Sequence, residues 1–211
     1  TTANAGAAAS DKNAVRHALA LRIRASMRRP ETRIPPITSS RHVPGSGTAE
    51  IGADRVKPLI PEFEWKGKPY RPRANGRLGG APANSIEEEI YEARLPLALK
   101  YGADNDLNRI TINPRDAWFG ILASGRVYHE ILSAAQELGL SPRDLHEHGI
   151  RVLQMSMPFP FDKAIVRHFA QGLQEIMVVE EKRPFMENQL REALYGMPNP
   201  PLVTGKRDPD D

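Results

Sequence analysis

The run Glu175-Ile176-Met177-Val178-Val179-Glu180-Glu181-Lys182-Arg183-Pro184 decides how this chain is read. A short apolar run ends abruptly in two acids and two bases, and a helical pattern follows. In an open α/β sheet that change marks the carboxyl end of a buried parallel strand. Ligands and partner domains usually dock at such ends.

The same alternation continues on both sides of this run. Upstream, Trp118 to Ala123 reads as a strand, and Ser124-Gly125 turns it into a helix. That helix carries Tyr128, Ile131, Leu132, Ala135 and Leu138 on one side and is closed by Gly139. Ser141-Pro142 is an N-cap followed by a proline suited to the first helical position, opening a short helix to about Glu147. Ile150 to Met155 reads as the next strand, and Met157-Pro158-Phe159-Pro160-Phe161 as a rigid loop. Asp162 caps a helix with Ile165, Val166, Phe169 and Leu173 inward, and Ile176 to Val179 is the strand of the opening run. Pro184 to Tyr195 is the following helix, with Phe185, Met186, Leu190, Ala193 and Leu194 as its apolar face and Gly196 as its stop. Leu202 to Thr204 is a last short strand. Strands alternating with amphipathic helices predict a three-layer α/β/α fold with a mainly parallel sheet.

The front of the chain reads differently. Residues 1–13 are small and polar and are expected to be disordered. A short basic helix is expected over 14–29, with Val15, Leu19, Ile23 and Met27 four apart. From Pro30 to Pro82, prolines and glycines recur every few residues. We read 1–55 as a basic, largely irregular extension and 56–83 as an extended strap lying over other protein. The α/β domain then runs from 84 to 211. Phe63, Trp65 and Tyr70 are expected to anchor the strap, with Arg71, Arg73 and Arg77 pairing with acids. Ser85 and Glu88 form a capping-box pattern opening a helix that Gly102 ends. Pro96 inside that helix predicts a kink or break near Leu95. Asn108 to Asn113 reads as an edge strand.

Composition bounds the function. The 211 residues include no cysteine, which excludes a disulfide framework, thiolate zinc and an iron–sulfur cluster held by this chain. No apolar run approaches the ~20 residues of a membrane helix. Thr1 to Ser10 lacks the features of a secretory signal, so a cytoplasmic location is expected. Residues 1–80 hold 15 Lys and Arg against 6 Asp and Glu, whereas the rest hold 14 against 20. A basic front on an acidic back predicts an arm that touches something negative. Packing on its own domain or on a partner subunit is favoured over nucleic acid, because attraction to phosphate is unspecific.

The search for chemistry narrows the field mainly by what is missing. The chain has no dinucleotide-binding glycine fingerprint, no phosphate loop, no nucleophile elbow and no His-Glu-x-x-His. His146 and His148 are two residues apart on a helix, where side chains do not share a face. With Asp144 and Glu147 they are read as a solvated turn, not a metal site. His129 lacks an assignable acid or nucleophile partner, and the methionines are read as core filler. Ser124-Gly125 could cradle an anion on free backbone N–H groups, or could be only a tight turn that needs glycine. Glu180, Glu181 and Lys182 could contact a ligand or a neighbouring domain, or could form a solvated ion-pair cluster. Ser124, Gly125, Tyr128, Glu180, Glu181 and Lys182 are therefore the candidate contact edge. No catalytic, cofactor-binding or metal-ligating residue is assigned.

Several motifs, taken in order, resemble one family. They are Phe119-Gly120-Ile121-Leu122-Ala123-Ser124-Gly125 with Tyr128, then Val152-Leu153-Gln154-Met155-Ser156-Met157-Pro158, then Val178-Val179-Glu180-Glu181-Lys182-Arg183-Pro184. Glu192-Ala193-Leu194-Tyr195-Gly196 and Gly205-Lys206-Arg207-Asp208 continue the likeness. Upstream, Glu92 to Ala98 and Asp106 to Ile110 are also similar. The pattern resembles the transketolase C-terminal-like domain of 2-oxoacid:ferredoxin oxidoreductases, closest to the indolepyruvate type. The likeness covers about residues 56–211 and is absent from 1–50.

The resemblance implies an enzyme that oxidatively decarboxylates a 2-oxoacid. It would use thiamine diphosphate and Mg²⁺, with iron–sulfur clusters passing electrons to ferredoxin. It places those cofactors in flanking domains and gives this domain an architectural role within a dimer. It implies partners that carry the thiamine-binding and iron–sulfur domains. The unmatched front suggests a split gene, a subunit or an excised fragment. A stand-alone binding module whose basic arm grips nucleic acid is the alternative reading. An independent enzyme built on Ser124, His129 and Glu180 is a third.

Overall fold

A computed structural model describes residues 14–15, 17–21, 57–73 and 82–207. The expectations for residues 1–13, for Ile23, Met27 and the rest of 22–56, and for Arg77 lie outside these described residues.

Five strands form the main sheet: β3 (Asn108–Ile112), β4 (Phe119–Ser124), β5 (Ile150–Met155), β6 (Glu175–Val179) and β7 (Leu202–Thr204). Their spatial order is β3-β5-β4-β6-β7. β5, β4, β6 and β7 run parallel, and β3 adds antiparallel at the edge beside β5. The central strands are buried almost end to end, as strands covered on both faces must be.

Alternating side chains divide the interior into two cores. Phe119, Ile121, Ala123, Val152 and Val179 face one side, against Val127, Ile131 and Ala135 of α3 (Gly125–Glu137) and Leu145 of α4 (Pro142–Glu147). Leu122, Leu153, Ile176 and Val178 face the other. There they meet Val166 and Phe169 of α5 (Lys163–Ala170) and Leu190 of α6 (Phe185–Leu194). Each fully buried Leu, Ile or Phe contributes roughly 1.5–3 kcal/mol of transfer free energy. This is the expected three-layer α/β/α fold with a mainly parallel sheet.

Gly120 shows how tightly the second face is packed. A Cβ there would come within 2.6 Å of Leu173 Cδ1 and 2.8 Å of Phe169 Cζ. Two amphipathic faces differ from expectation. Leu138 is 38 % exposed, because the buried stripe of α3 runs through Val127 and Ala134 instead. Phe185 is 51 % exposed while Glu187 is fully buried, because Glu187 has partners inside that a phenyl ring could not satisfy.

Residues 17–21 are helical, and Leu19 is fully buried in the first core with Val15 and Ala20 against it. This part of the basic front is docked on the domain.

The strap forms a small hairpin. β1 (Glu64–Trp65) pairs antiparallel with β2 (Lys68–Pro69) across Lys66 and Gly67, both with positive φ, as a tight hairpin turn demands. It lies against a continuous helix made of α1 (Pro82–Glu89), a π-helical turn (Ile90–Arg94) and α2 (Leu95–Asp104). Ser85 lies inside α1 and does not open it. Pro96 does not break the helix either. Leu95 N–H donates to the Ile90 carbonyl five residues back, so the turn widens just ahead of the proline. Among the described residues, no helix is long and apolar enough to cross a membrane.

Glutamates of this helix hold the hairpin. Lys66 Nζ meets Glu88 at 2.7 Å, Trp65 Nε1 donates to Glu92 at 3.2 Å, and the Tyr70 hydroxyl donates to Glu89. Trp65 and Tyr70 are anchors, as expected, but through their polar ends. Lys66 makes the ion pair expected of Arg71 and Arg73. Among the described residues Arg73 contributes only its carbonyl, which accepts from Arg94.

Candidate functional site

The connection after β4 leads to α3 on the first face, and the connection after β6 leads to α6 on the second. These two strands are neighbours in the sheet, with Ala123 opposite Val179. Adjacent strands whose helices leave toward opposite faces open a crevice at their carboxyl ends. Ser124-Gly125 and Glu180-Glu181-Lys182 therefore border one place. The sequence identified both loops, but only the strand order makes them neighbours.

Gly125 has φ +55°, a backbone state that favours glycine, and a Cβ there would meet open space. Ser124 is the residue before α3, and its side chain makes no capping hydrogen bond. Arg126, in the first turn, pairs with Glu130 at 2.7 Å. Tyr128 is buried in the first core, edge-on to the exposed ring of His129 at 5.2 Å.

Glu180 is engaged inside the fold. Its carboxylate accepts from the backbone N–H groups of Phe185, Met186 and Glu187, at 2.9–3.2 Å. Those are orphan donors at the start of α6, where negative charge is favourable. The residue is 8 % exposed. Glu181 and Lys182 are exposed, and among the described residues their side chains have no hydrogen-bond or ion-pair partner. The Glu181 carbonyl accepts from Lys206 Nζ at 3.1 Å. Glu181 and Lys182 are the free part of this edge.

Two buried charges escaped the sequence reading. Glu187 accepts from Arg191 at 3.0 Å and from Lys206 N–H at 2.8 Å, tying α6 to the chain beyond β7. Arg151 donates to the carbonyls of Phe169 and Gln171 at the end of α5, and burial lowers its pKa. Glu187 lies on a helix where a polar residue is ordinarily placed outward. Arg151 sits between Ile150 and Val152 in a strand whose one other polar residue is Gln154, and that was the one available signal.

The acidic stretch of α4 is also structural. Asp144 exchanges hydrogen bonds with Ser141 as a capping box. The Ser141 hydroxyl and N–H hold its carboxyl below the usual range. The His148 carbonyl accepts from Trp118 Nε1 at 2.9 Å. Among the described residues, no three His, Asp or Glu side chains converge on a possible metal position. At this edge the buried carboxylate, Glu180, is turned inward onto backbone N–H groups and is not presented to a metal ion or a diphosphate-bearing cofactor.

Residues 108–211 match a family model described as the indolepyruvate ferredoxin oxidoreductase middle domain. The chain is 29 % identical over 163 residues to the indolepyruvate oxidoreductase subunit IorA of Methanothermobacter marburgensis, covering 76 % of this chain and 24 % of that one. It is 33 % identical over 78 residues to the same subunit of Pyrococcus abyssi, covering 37 % of this chain and 11 % of the relative. A solved 2-oxoglutarate:ferredoxin oxidoreductase from Magnetococcus marinus aligns with a TM-score of 0.38 and 14 % identity, over 74 % of this chain and 25 % of that one. The chain thus spans a quarter or less of the length of these relatives. With its sheet, its motifs and its match in agreement, the segment 108–211 belongs to the family of indolepyruvate ferredoxin oxidoreductase middle domains.

Proposed function

We propose that this chain is a non-catalytic assembly part of a thiamine-diphosphate-dependent 2-oxoacid:ferredoxin oxidoreductase of the indolepyruvate type. Oxidative decarboxylation is carried out by neighbouring domains, which bind thiamine diphosphate and Mg²⁺. Iron–sulfur clusters in partner domains pass the electrons to ferredoxin, and the whole enzyme is a dimer. The cell compartment of this reading is the cytoplasm.

One observation carries the architectural role. The charged and aromatic groups at the switch-point edge are used to hold the fold: Glu180 is spent on three backbone donors, and Tyr128 lies in the core. What is left free faces outward as Glu181 and Lys182. A carboxylate and an ammonium without internal partners suit register-setting contacts to a neighbouring domain.

The test is recovery of the native assembly at moderate salt, with the chain bearing Glu181→Lys and Lys182→Glu together. The unmodified chain should co-purify with polypeptides that bind thiamine diphosphate and iron–sulfur clusters, and the double reversal should reduce that yield. Recovery of the unmodified chain alone would overturn the reading.

A further inference from the structure

The helix from Ile86 to Tyr101 carries more apolar surface than the described residues cover. Leu95, Leu97, Ala98, Leu99 and Tyr101 are all partly exposed, Ile90 is 36 % exposed and Tyr91 66 %. None of these side chains belongs to either core. A helix apolar on more than one side is normally enclosed. Here the hairpin covers one side incompletely. Between them lies a groove of about 1140 Å³, lined by Phe63, Tyr70, Leu97, Ala98, Tyr101 and Met157. Its lip continues through Ile60, 76 % exposed, to Leu59, 62 % exposed.

Length and charge indicate what covers this surface. The similarity to the Methanothermobacter marburgensis subunit takes in 76 % of this chain, far more than the middle domain. Any contiguous stretch that long includes both the strap and the helix. In that relative, therefore, they form the run-up to the middle domain, and roughly three quarters of its length lies beyond the match. A middle domain also has polypeptide on both sides. The charge is lopsided: Lys57, Lys68, Arg71 and Arg73 are exposed on the strap without an ion-pair partner among the described residues. Glu62 and Glu64 are the exposed acids beside them.

We propose that the uncovered side of helix 86–101, together with the groove beneath the strap, seats the domain adjoining the middle domain on its N-terminal side. That domain would meet the helix with apolar side chains and would set carboxylates opposite Lys57, Lys68, Arg71 and Arg73 of the strap, since the helix itself exposes Glu87, Glu88 and Glu92. The inference rests on the assembly reading above and names a second contact surface, remote in sequence from Glu181 and Lys182. Tyr91 is a natural anchor, because it is a large aromatic left 66 % exposed on this helix, three residues before Arg94 of the groove wall, and exposed aromatics of this kind dominate interface energetics.

The test uses p-benzoylphenylalanine as a photo-crosslinker, placed at Tyr91 and, separately, at Glu181, in the assembled native enzyme. Crosslinked peptides are identified by mass spectrometry. The Tyr91 probe should link to polypeptide that lies N-terminal to the middle domain in the relatives. Links to a second copy of this chain, to polypeptide on the C-terminal side, or to nothing while the Glu181 probe links, would overturn this inference and leave the assembly reading standing. If neither probe links and the chain elutes as a free monomer, both fail. In parallel, Tyr91→Asp with Leu97→Asp should weaken association at least about tenfold. An unchanged affinity in a variant that retains its near-ultraviolet circular dichroism would count against the proposal.

Discussion

Glu180 shows how one residue can look available and be committed. Its position at a strand end, beside Glu181 and Lys182, has the pattern of a contact site. Its carboxylate instead closes the amino end of α6 with three hydrogen bonds. Removing it leaves three buried or half-buried donors without an acceptor. Glu180→Ala should therefore cost about 2 kcal/mol of stability, read from the midpoint of urea unfolding. Glu180→Gln should recover part of that, since one amide oxygen can still accept. A Glu180→Ala variant as stable as the parent but impaired in assembly would return the residue to the contact surface. Glu187 teaches the complementary lesson: Arg191 is its partner within α6, but the Lys206 N–H that completes its burial arrives only once the chain beyond β7 is laid beside the helix.

Among the elements, the hairpin is the most conditional. A two-stranded ribbon is marginal in water by itself. Its fastening is polar, through Glu88, Glu89 and Glu92, and not through either core. The Tyr70 hydroxyl and Arg94 hold Glu89 below the usual carboxylate range, the tyrosine being the larger cause. A carboxylate whose pKa is depressed by folding stabilises the fold above its unfolded pKa. That contribution is lost as pH falls through the lower, folded value. Acidification below the ordinary glutamate range should thus loosen the hairpin before the sheet melts. Trp65 fluorescence followed against pH should show this transition, and Glu89→Gln should remove the component due to that carboxylate. A signal that changes only together with far-ultraviolet circular dichroism would show that the hairpin and sheet are one cooperative unit. Pro96 also belongs to this scale. The rule that proline breaks a helix interior is met here by one widened turn, so the helix continues.

For the whole molecule, the two cores determine what docks. Leu19, from a segment whose composition suggested a basic arm packed on its own domain or on a partner, is fully buried in the core that holds Ile131 and Leu145. Leu19→Ala should cost roughly 2–4 kcal/mol if that helix is part of the cooperative fold, measured by thermal or denaturant unfolding. Unchanged stability would mean that the helix docks only loosely. The alternative of a basic arm given over to nucleic acid is weakened at this helix, because its apolar side is occupied by the domain itself.

The sequence by itself determined the layered α/β architecture, because buried parallel strands and amphipathic helices carry periodicities that local composition cannot disguise. It also located the loops after β4 and β6, because glycine at a left-handed position and an abrupt change from apolar to charged residues are local signals. It carried enough motif to identify the family. Tertiary structure alone decided which loops are neighbours, because strand order depends on crossovers that no single segment encodes. It alone decided that Glu180 turns inward while Glu181 and Lys182 turn outward, because the competing partners, three N–H groups of α6, arrive only when that helix packs. It also decided that the apolar helix before the domain is left half uncovered, because exposure is a property of everything that surrounds a residue.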